Sequence, residues 1–473
     1  MTRPNSVEIS EEPKPAAPAP KRNFGRTGRL GRPVTSPYGL TLNAVMIAAF
    51  SLAMFAILLG NQPFSSDLAI FNEKTSSFTN FVIYYLIVWP VSGLAGAYIF
   101  GALLAKFNID LFLDMLKGNI SILIVYLYAL FSVSYSADKG ISLYTWLALF
   151  QYLLIGVAFL YATSNSRLAL DIPLLILISL VVISYALVIA VPSIGIHSLS
   201  NEVGNAEAIR WSWKGLFFRK NTTGAVLMLP SAILLARLLM RFSWQDLAVL
   251  LLTCVFLWFS RAKTAYAALG LALILWFFLS FYAARANAAA RFIMAFLLVA
   301  AFASYNALMV YYLNPSFGLD ATNRVIIWQY NFMFWREAMW QGHGYAGVYV
   351  DGAMKDYVNS WVAQNIDHAH SGYMEILGQL GIAGSILAGL WMLLTLMNLM
   401  KLMKLGKSAT TATLSLILFS CLTHALTEPD FFSVRPIWFV MALVTIIINS
   451  QLYVQKLIAQ TKTPAPVFPF NRP

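Results

Sequence analysis

The sequence predicts an all-α integral membrane protein of about 12 transmembrane helices. Of its 473 residues 59% are hydrophobic and only 11% charged, against roughly 25% charged in soluble domains. Uncharged stretches such as 172–191, 292–319 and 376–400 reach or exceed the ~20 residues that carry a helix across ~30 Å of hydrocarbon. A β-barrel is disfavoured, because its strands alternate apolar and polar residues, and these runs do not.

Residues 1–37 are rich in Pro, Ala, Lys, Arg and Gly and have no periodic apolar face, so they are expected to form a disordered basic cytoplasmic arm. The first apolar stretch begins near Thr41, too far in and too long for a signal h-region, and is expected to stay as an anchor. Helices are then predicted at about 41–60, 81–105, 119–136, 141–162, 172–191, 221–241, 246–260, 264–283, 292–313, 372–400, 409–426 and 436–453. Pro90 and Pro230 fall inside spans and predict kinks rather than breaks. Residues 38–453 form the transmembrane domain, interrupted by long loops at 192–220 and 314–371, and 454–473 form a cytoplasmic tail. The aromatic run containing Trp328, Tyr330, Phe332, Phe334, Trp335 and Trp340 predicts an interfacial helix within the second loop.

With the arm placed in the cytoplasm and all segments spanning, 20 of the 32 basic residues fall on the cytoplasmic side: seven in the arm, two in the 106–118 loop and eleven elsewhere. Only 7 of the 20 acidic residues join them. This bias predicts an N-in, C-in topology and accounts for most of the net charge of +12 without a nucleic-acid partner. Cys254 and Cys421 lie within apolar runs, so neither a disulfide framework nor a cysteine metal site is expected.

The basic residues left outside have no topological reason to be there. Arg219 and Lys220 precede the sixth helix, while Arg261 and Lys263 lie between the seventh and eighth; Arg324 and Arg336 lie in the second outer loop. Guanidinium groups offer a planar fork of donors that suits phosphate oxygens, and the same residues would also serve as snorkels to lipid headgroups. His368 and His370 end the long loop. They suit a base that takes a proton from a hydroxyl, a passive interfacial role, or a metal pair that lacks further ligand-spaced partners. Glu428 and Asp430 cap the eleventh helix, with His424 a turn earlier; they suit orienting a histidine, holding an arginine, contacting sugar hydroxyls or a solvated loop. No Walker motif, GxSxG elbow or HExxH occurs.

In chain order, Trp213-Lys214-Gly215-Leu216-Phe217-Phe218-Arg219-Lys220-Asn221-Thr222-Thr223-Gly224, Ser260-Arg261-Ala262-Lys263-Thr264-Ala265, Asn323-Arg324…Trp328…Gly342-His343-Gly344-Tyr345 and His368-Ala369-His370-Ser371-Gly372-Tyr373-Met374-Glu375-Ile376-Leu377-Gly378-Gln379-Leu380-Gly381 together resemble the O-antigen ligase and Wzy-type polysaccharide polymerase superfamily. The likeness is nearest to the succinoglycan-type exopolysaccharide polymerases. It implies a GT-C-like glycosyltransferase of the bacterial inner membrane, working at the periplasmic face without metal, cofactor or nucleotide sugar. Its donor would be a glycan on undecaprenyl diphosphate, and a chain-length-regulating co-polymerase is a further implied partner. The family's catalytic histidine falls on His370 and its diphosphate-binding cations on Arg261, Arg219 and Lys220. Lys263, Arg324, Arg336, His368 and Glu428 form a second rank of substrate contacts. Two positions depart from the pattern: Arg219 stands where close relatives commonly have His, and Ser371 replaces the Asn expected to hold the histidine loop by a local hydrogen bond. A ligase acting on lipid A-core shares this chemistry, and a non-enzymatic flippase would instead place its polar groups near the bilayer midplane.

Overall fold

The computed structural model describes residues 37–59, 86–104, 109–163, 168–197, 211–217, 219–283, 285–312, 324–347, 368–405 and 408–461. The predicted basic arm, save its last residue, lies outside the described residues, as do much of both long loops and the last twelve residues of the tail. The described helices are α1 (Pro37–Leu59), α2 (Trp89–Leu104), α3 (Ile109–Gly118), α4 (Ile120–Ser132), α5 (Lys139–Thr163), α6 (Leu168–Ala190), α7 (Lys220–Met240), α8 (Trp244–Ser260), α9 (Lys263–Ala283), α10 (Ala288–Tyr312), α11 (Arg324–Trp335), α12 (Gly372–Leu405), α13 (Ala409–His424) and α14 (Pro436–Thr461).

All twelve predicted segments carry a helix. Seven are long and apolar enough to cross a membrane, and five are shorter apolar helices. Two helices are additional. The aromatic run folds as α11, as its composition suggests, whereas α3 was not expected and packs against α14. The short α8 is secured at its start by Ser243, whose side chain accepts from the Asp246 amide at 3.3 Å and so satisfies one of the amides left free in the first turn. Pro230 sits inside a continuous α7, so it does not end that helix. Pro90 lies where a π-turn over 86–88 passes into α2.

Contacts between helix ends show that successive long helices from α4 onward reverse direction. At one end, the α4 terminus meets the 341–345 loop (Tyr345 amide to Ser132 Oγ, 2.9 Å; Tyr135 hydroxyl to Gln341 carbonyl, 2.8 Å). The same end holds the start of α7, the end of α13 and the start of α12. At the opposite end, Arg237 of α7 pairs with Asp171 of α6 at 2.7 Å. Exposed aromatics mark both ends, with Trp211, Trp258, Tyr311 and Trp340 at the first and Phe242, Trp244 and Tyr282 at the second, as at two membrane–water boundaries. The most enclosed element is α13, buried from Thr410 to His424 between α7, α9 and α14.

One spanning helix is interrupted. Gly381 in α12 has φ 63° and ψ −163°, a backbone region accessible essentially only to glycine. A Cβ there would lie 2.5 Å from the Gly342 amide nitrogen and the Trp340 carbonyl oxygen. The freed groups are satisfied by the 338–344 segment: His343 and Gly344 amides donate to Gly378 and Gln379 carbonyls, while Ile382 and Ala383 amides donate to Met339 and Trp340 carbonyls. Backbone irregularity at membrane depth is tolerated only with such internal partners. The break leaves roughly 36 Å of α12 beyond Gly381, enough to span, and about 13 Å before it, at 1.5 Å per residue. That shorter piece carries the histidine loop.

Candidate functional site

The first half of the site is built from two turns packed on each other. Arg219 is extended and precedes the first turn of α7, and Thr223 anchors this entry by donating to the Lys214 and Arg219 carbonyls at 2.8 and 3.1 Å. Arg261 ends α8 in a left-handed conformation (φ 55°), with its amide bonded to the Trp258 carbonyl. Gly224 allows these turns to meet, since a Cβ there would lie 2.2 Å from that of Ala262. Arg219, Lys220, Arg261 and Lys263 are thereby brought to one end of the bundle. Arg219, Arg261 and Lys263 are exposed, and Lys220 is half-buried.

The second half is the histidine loop. His370 is also left-handed (φ 51°). Its neighbour Ala369 is held on both sides: the Ala369 amide donates to Glu375 Oε1 at 2.5 Å, and its carbonyl accepts from Trp328 Nε1 at 2.9 Å. Glu375 Oε2 accepts from Gln379 Nε2 at 2.7 Å, and Gln379 Oε1 accepts from the Ala346 amide at 3.1 Å. The short piece of α12 therefore ties together residues on both sides of the 348–367 segment. Ser371 Oγ donates to Asn306 Oδ1 at 2.9 Å, and Asn306 Nδ2 donates to the Leu426 carbonyl at 3.1 Å. Ser371 is thereby joined to an asparagine of α10.

Glu428 joins the two halves. Its Oε1 accepts from Arg324 at 2.7 Å and from Asn221 Nδ2 at 3.2 Å, and its backbone carbonyl accepts from the Gly372 amide at 3.0 Å. Arg324 begins α11, and Trp328, one turn later, holds the histidine loop. Nearby, His424 Nδ1 and Asp430 Oδ2 lie 2.5 Å apart and are buried. Arg336 does not join this cluster: it is exposed beyond the far end of α11, roughly 18 Å from the Arg324 end by helix rise.

The two imidazoles stand edge to face with ring centroids 4.0 Å apart, and the His370 amide donates to His368 Nδ1 at 3.2 Å. His370 Nδ1 is buried with no hydrogen-bond partner. Burial, followed by the charges of Arg324, Arg435 and Arg219, pushes the His370 imidazole down to about 3. His368 is held well below the usual histidine range by burial, then by Arg435, His370, Arg219 and Arg324. Burial raises Glu428, against the opposing pull of Arg324 and His424. Both histidines are accordingly neutral at pH 7. Arg435 was absent from the sequence-based candidates because it follows an apparent loop and no spacing links it to the histidines. Asn221, Asn306, Glu375 and Gln379 were also missed as site-building residues.

All five non-glycine residues with positive φ among those described, Trp211, Arg261, Ala346, His370 and Phe432, lie at this end. So do the N-termini of α7, α11, α12 and α14, whose dipoles favour negative charge.

The fold and site define a multi-helix membrane protein with neutral imidazoles among cations, an arrangement suited to a hydroxyl and an anion together. Residues 247–389 match the O-antigen ligase family, which supports assignment to the O-antigen ligase superfamily. The matched stretch includes Arg261, Lys263, Arg324, His368 and His370, while Arg219, Lys220, Glu428 and Arg435 lie outside it. No curated protein matches the chain.

Proposed function

We propose that the protein is a polysaccharide polymerase of the bacterial inner membrane, inserted N-in and C-in with twelve crossing helices and the histidine end in the periplasm. The donor is a glycan on undecaprenyl diphosphate, and the acceptor is a hydroxyl of another lipid-linked repeat unit. His370 takes the hydroxyl proton as the acceptor oxygen bonds to the anomeric carbon with inversion. The bond from that carbon to the diphosphate oxygen breaks, and its electron pair leaves with the diphosphate, stabilised by Arg261, Arg219 and Lys220. Arg324 and Glu428 hold the two halves of the site together, and Lys263 and His368 border it.

The observation that carries this reading is the link through Glu428, which accepts from Arg324 and from Asn221, next to Arg219 and Lys220, and whose carbonyl takes the Gly372 amide beside the histidine loop, so that a buried imidazole stands in a field of arginine charge. An imidazole in that field is a poor base without an anion. A bound diphosphate brings about two negative charges and offsets the arginines' share of that lowering, while the share due to burial stays. Base strength and donor binding are thereby coupled. The polar groups gather at a helix end, which favours surface chemistry over a carrier with a midplane site.

The test is chain extension by the purified protein given lipid-linked repeat units. Wild type should extend them, and His370→Ala and Arg261→Ala should not. Parental rates in both variants, correctly inserted, would show the site assignment to be wrong. The match to the O-antigen ligase family favours one second reading, transfer to lipid A-core; the same preparation given lipid A-core as acceptor distinguishes the two products.

A further inference from the structure

We propose that Asn306 of α10 is a positioning residue for the His370 imidazole, acting through Ser371. This rests on the base role proposed above for His370, and it gives a part in the reaction to a long apolar helix that brings no charged group to the site.

The need for such a residue follows from the ring itself. His370 Nδ1 is buried and has no hydrogen-bond partner, so that nitrogen does not orient the imidazole. The backbone that carries the ring must set its direction. That backbone is left-handed, at φ 51°, a conformation that a non-glycine residue keeps only where its surroundings over-determine it. On the N-terminal side Ala369 is held by Glu375 and Trp328. On the C-terminal side the hold falls to Ser371 and Gly372. The Gly372 amide donates to the Ala425 and Glu428 carbonyls at 2.9 and 3.0 Å. Ser371 is fully buried, and its hydroxyl donates to Asn306 Oδ1 at 2.9 Å.

Asn306 is well mounted for this. Much of α10 faces outward, with Leu297, Leu308 and Tyr311 exposed, yet Asn306 is only 1% exposed. Its face of the helix lies against the histidine loop and the short piece of α12: Phe302 stacks on Tyr373 with ring centroids 6.0 Å apart, and Tyr305 meets Trp328 edge to face at 6.3 Å. An amide buried in such a helix is costly unless its groups are paired, and both are. Oδ1 takes Ser371, while Nδ2 donates to the Leu426 carbonyl at 3.1 Å. The second bond fixes which way the amide points, so that oxygen and not nitrogen meets the Ser371 hydroxyl. Leu426 belongs to the turn that also supplies Ala425 and Glu428 to Gly372. Through one amide, the residue after the histidine is therefore tied to α10 and to that turn together.

The experiment pairs steady-state chain extension by the purified full chain with labelling of His370 by diethyl pyrocarbonate. Labelling is read by mass spectrometry against His343, whose ring is bonded to the Phe334 carbonyl. Asn306→Ala should lower kcat about tenfold, the size of one lost hydrogen bond, with little change in KM for the lipid-linked repeat unit. His370 labelling relative to His343 should rise by a similar factor, because the loop is released. Ser371→Ala should act alike, and the double variant should be no slower than Asn306→Ala, since the two side chains serve one contact. In a His370→Ala background the further change Asn306→Ala should cost nothing more, whereas a merely structural role would lower the rate there too. If Asn306→Ala does not fold, Ser371→Ala decides. A parental kcat, unchanged labelling, a loss confined to KM, or a fall that persists without the imidazole overturns the inference and leaves the proposed function standing. Parental extension by His370→Ala overturns both, since no base is then left to position.

Discussion

The two ends of the helical bundle carry different kinds of buried polar group. Away from the histidines, Asn398, Asn449 and Asn119 form a closed amide ladder: Asn398 Nδ2 donates to Asn449 Oδ1 at 2.9 Å, Asn449 Nδ2 to Asn119 Oδ1 at 3.1 Å, and Asn119 Nδ2 to the Met115 carbonyl at 2.9 Å. Lys401 Nζ completes it on the Asn398 oxygen at 3.4 Å. At the histidine end a spanning helix is broken, non-glycine residues are left-handed, and His370 Nδ1 has no partner. The three asparagines of the ladder pair with one another and hold helices together, whereas the unpartnered atom at the histidine end is a titratable ring nitrogen beside cations. A neutral amide network serves the fold, while an imidazole among arginines can also exchange a proton.

That contrast is broken most directly at its largest expected effect. His370→Ala should lower chain extension by about 10²–10⁴-fold, the usual contribution of a general base, with melting temperature nearly unchanged. Asn449→Ala should do the reverse, keeping the rate per folded molecule while lowering stability. A large rate loss for Asn449→Ala would remove the distinction.

Arg324→Ala tests the connection within the histidine end. Glu428 is buried, and stripping away its arginine should cost about 3–5 kcal/mol. Glu428→Gln in the same chain should recover part of that loss, since the uncompensated charge is gone. Denaturation of the single and double variants measures this coupling. Gly381→Ala should come next, at about 1–3 kcal/mol from backbone strain and more if the Gly342 segment cannot move aside. Activity should fall further than stability, because the displaced piece of α12 carries Glu375 and the histidine loop. Asn449→Ala, losing a net hydrogen bond and leaving Asn398 and Asn119 short of partners, should cost about 1–3 kcal/mol.

The smallest effect is one of pH. His370 is held down to about 3 by burial and then by its arginines, against about 6.5 in an unfolded chain. Its neutral form belongs to the folded state, so its contribution to stability is complete above pH 6.5 and is lost as pH falls from there toward 3. For the free enzyme, kcat/KM should therefore show no histidine inflection near pH 6.5. Arg435→Gln should move the acid limb upward, since one of the charges opposing protonation is gone. An inflection near 6.5 in wild type would mean that the imidazole is far more hydrated than its burial indicates.

Much of this architecture was legible because membrane spans follow from composition and length alone. The positions of twelve helices, the aromatic helix α11 and the gathering of Arg219, Lys220 and His370 at one end all rest on local properties. Other features had no local signal. The helix α3 is short and carries charge, so it read as a loop. Asn306 lies in an uncharged run and read only as part of a span, although its side chain joins Ser371 to the Leu426 carbonyl. Arg336 looked equivalent to Arg324, yet the length of α11 removes it from the cluster.

By itself the sequence determined that this chain is helical, belongs in a bilayer and carries cations and imidazoles at helix ends, since hydrophobic length and charge position need no knowledge of packing. Only the tertiary structure decided which of those charges are spent on one another. Arg324 is taken up at 2.7 Å by Glu428, about a hundred residues further along the chain, while Arg336, at the other end of the same helix, is not. Pairing of charges is a property of distance in space, and distance along the chain does not encode it.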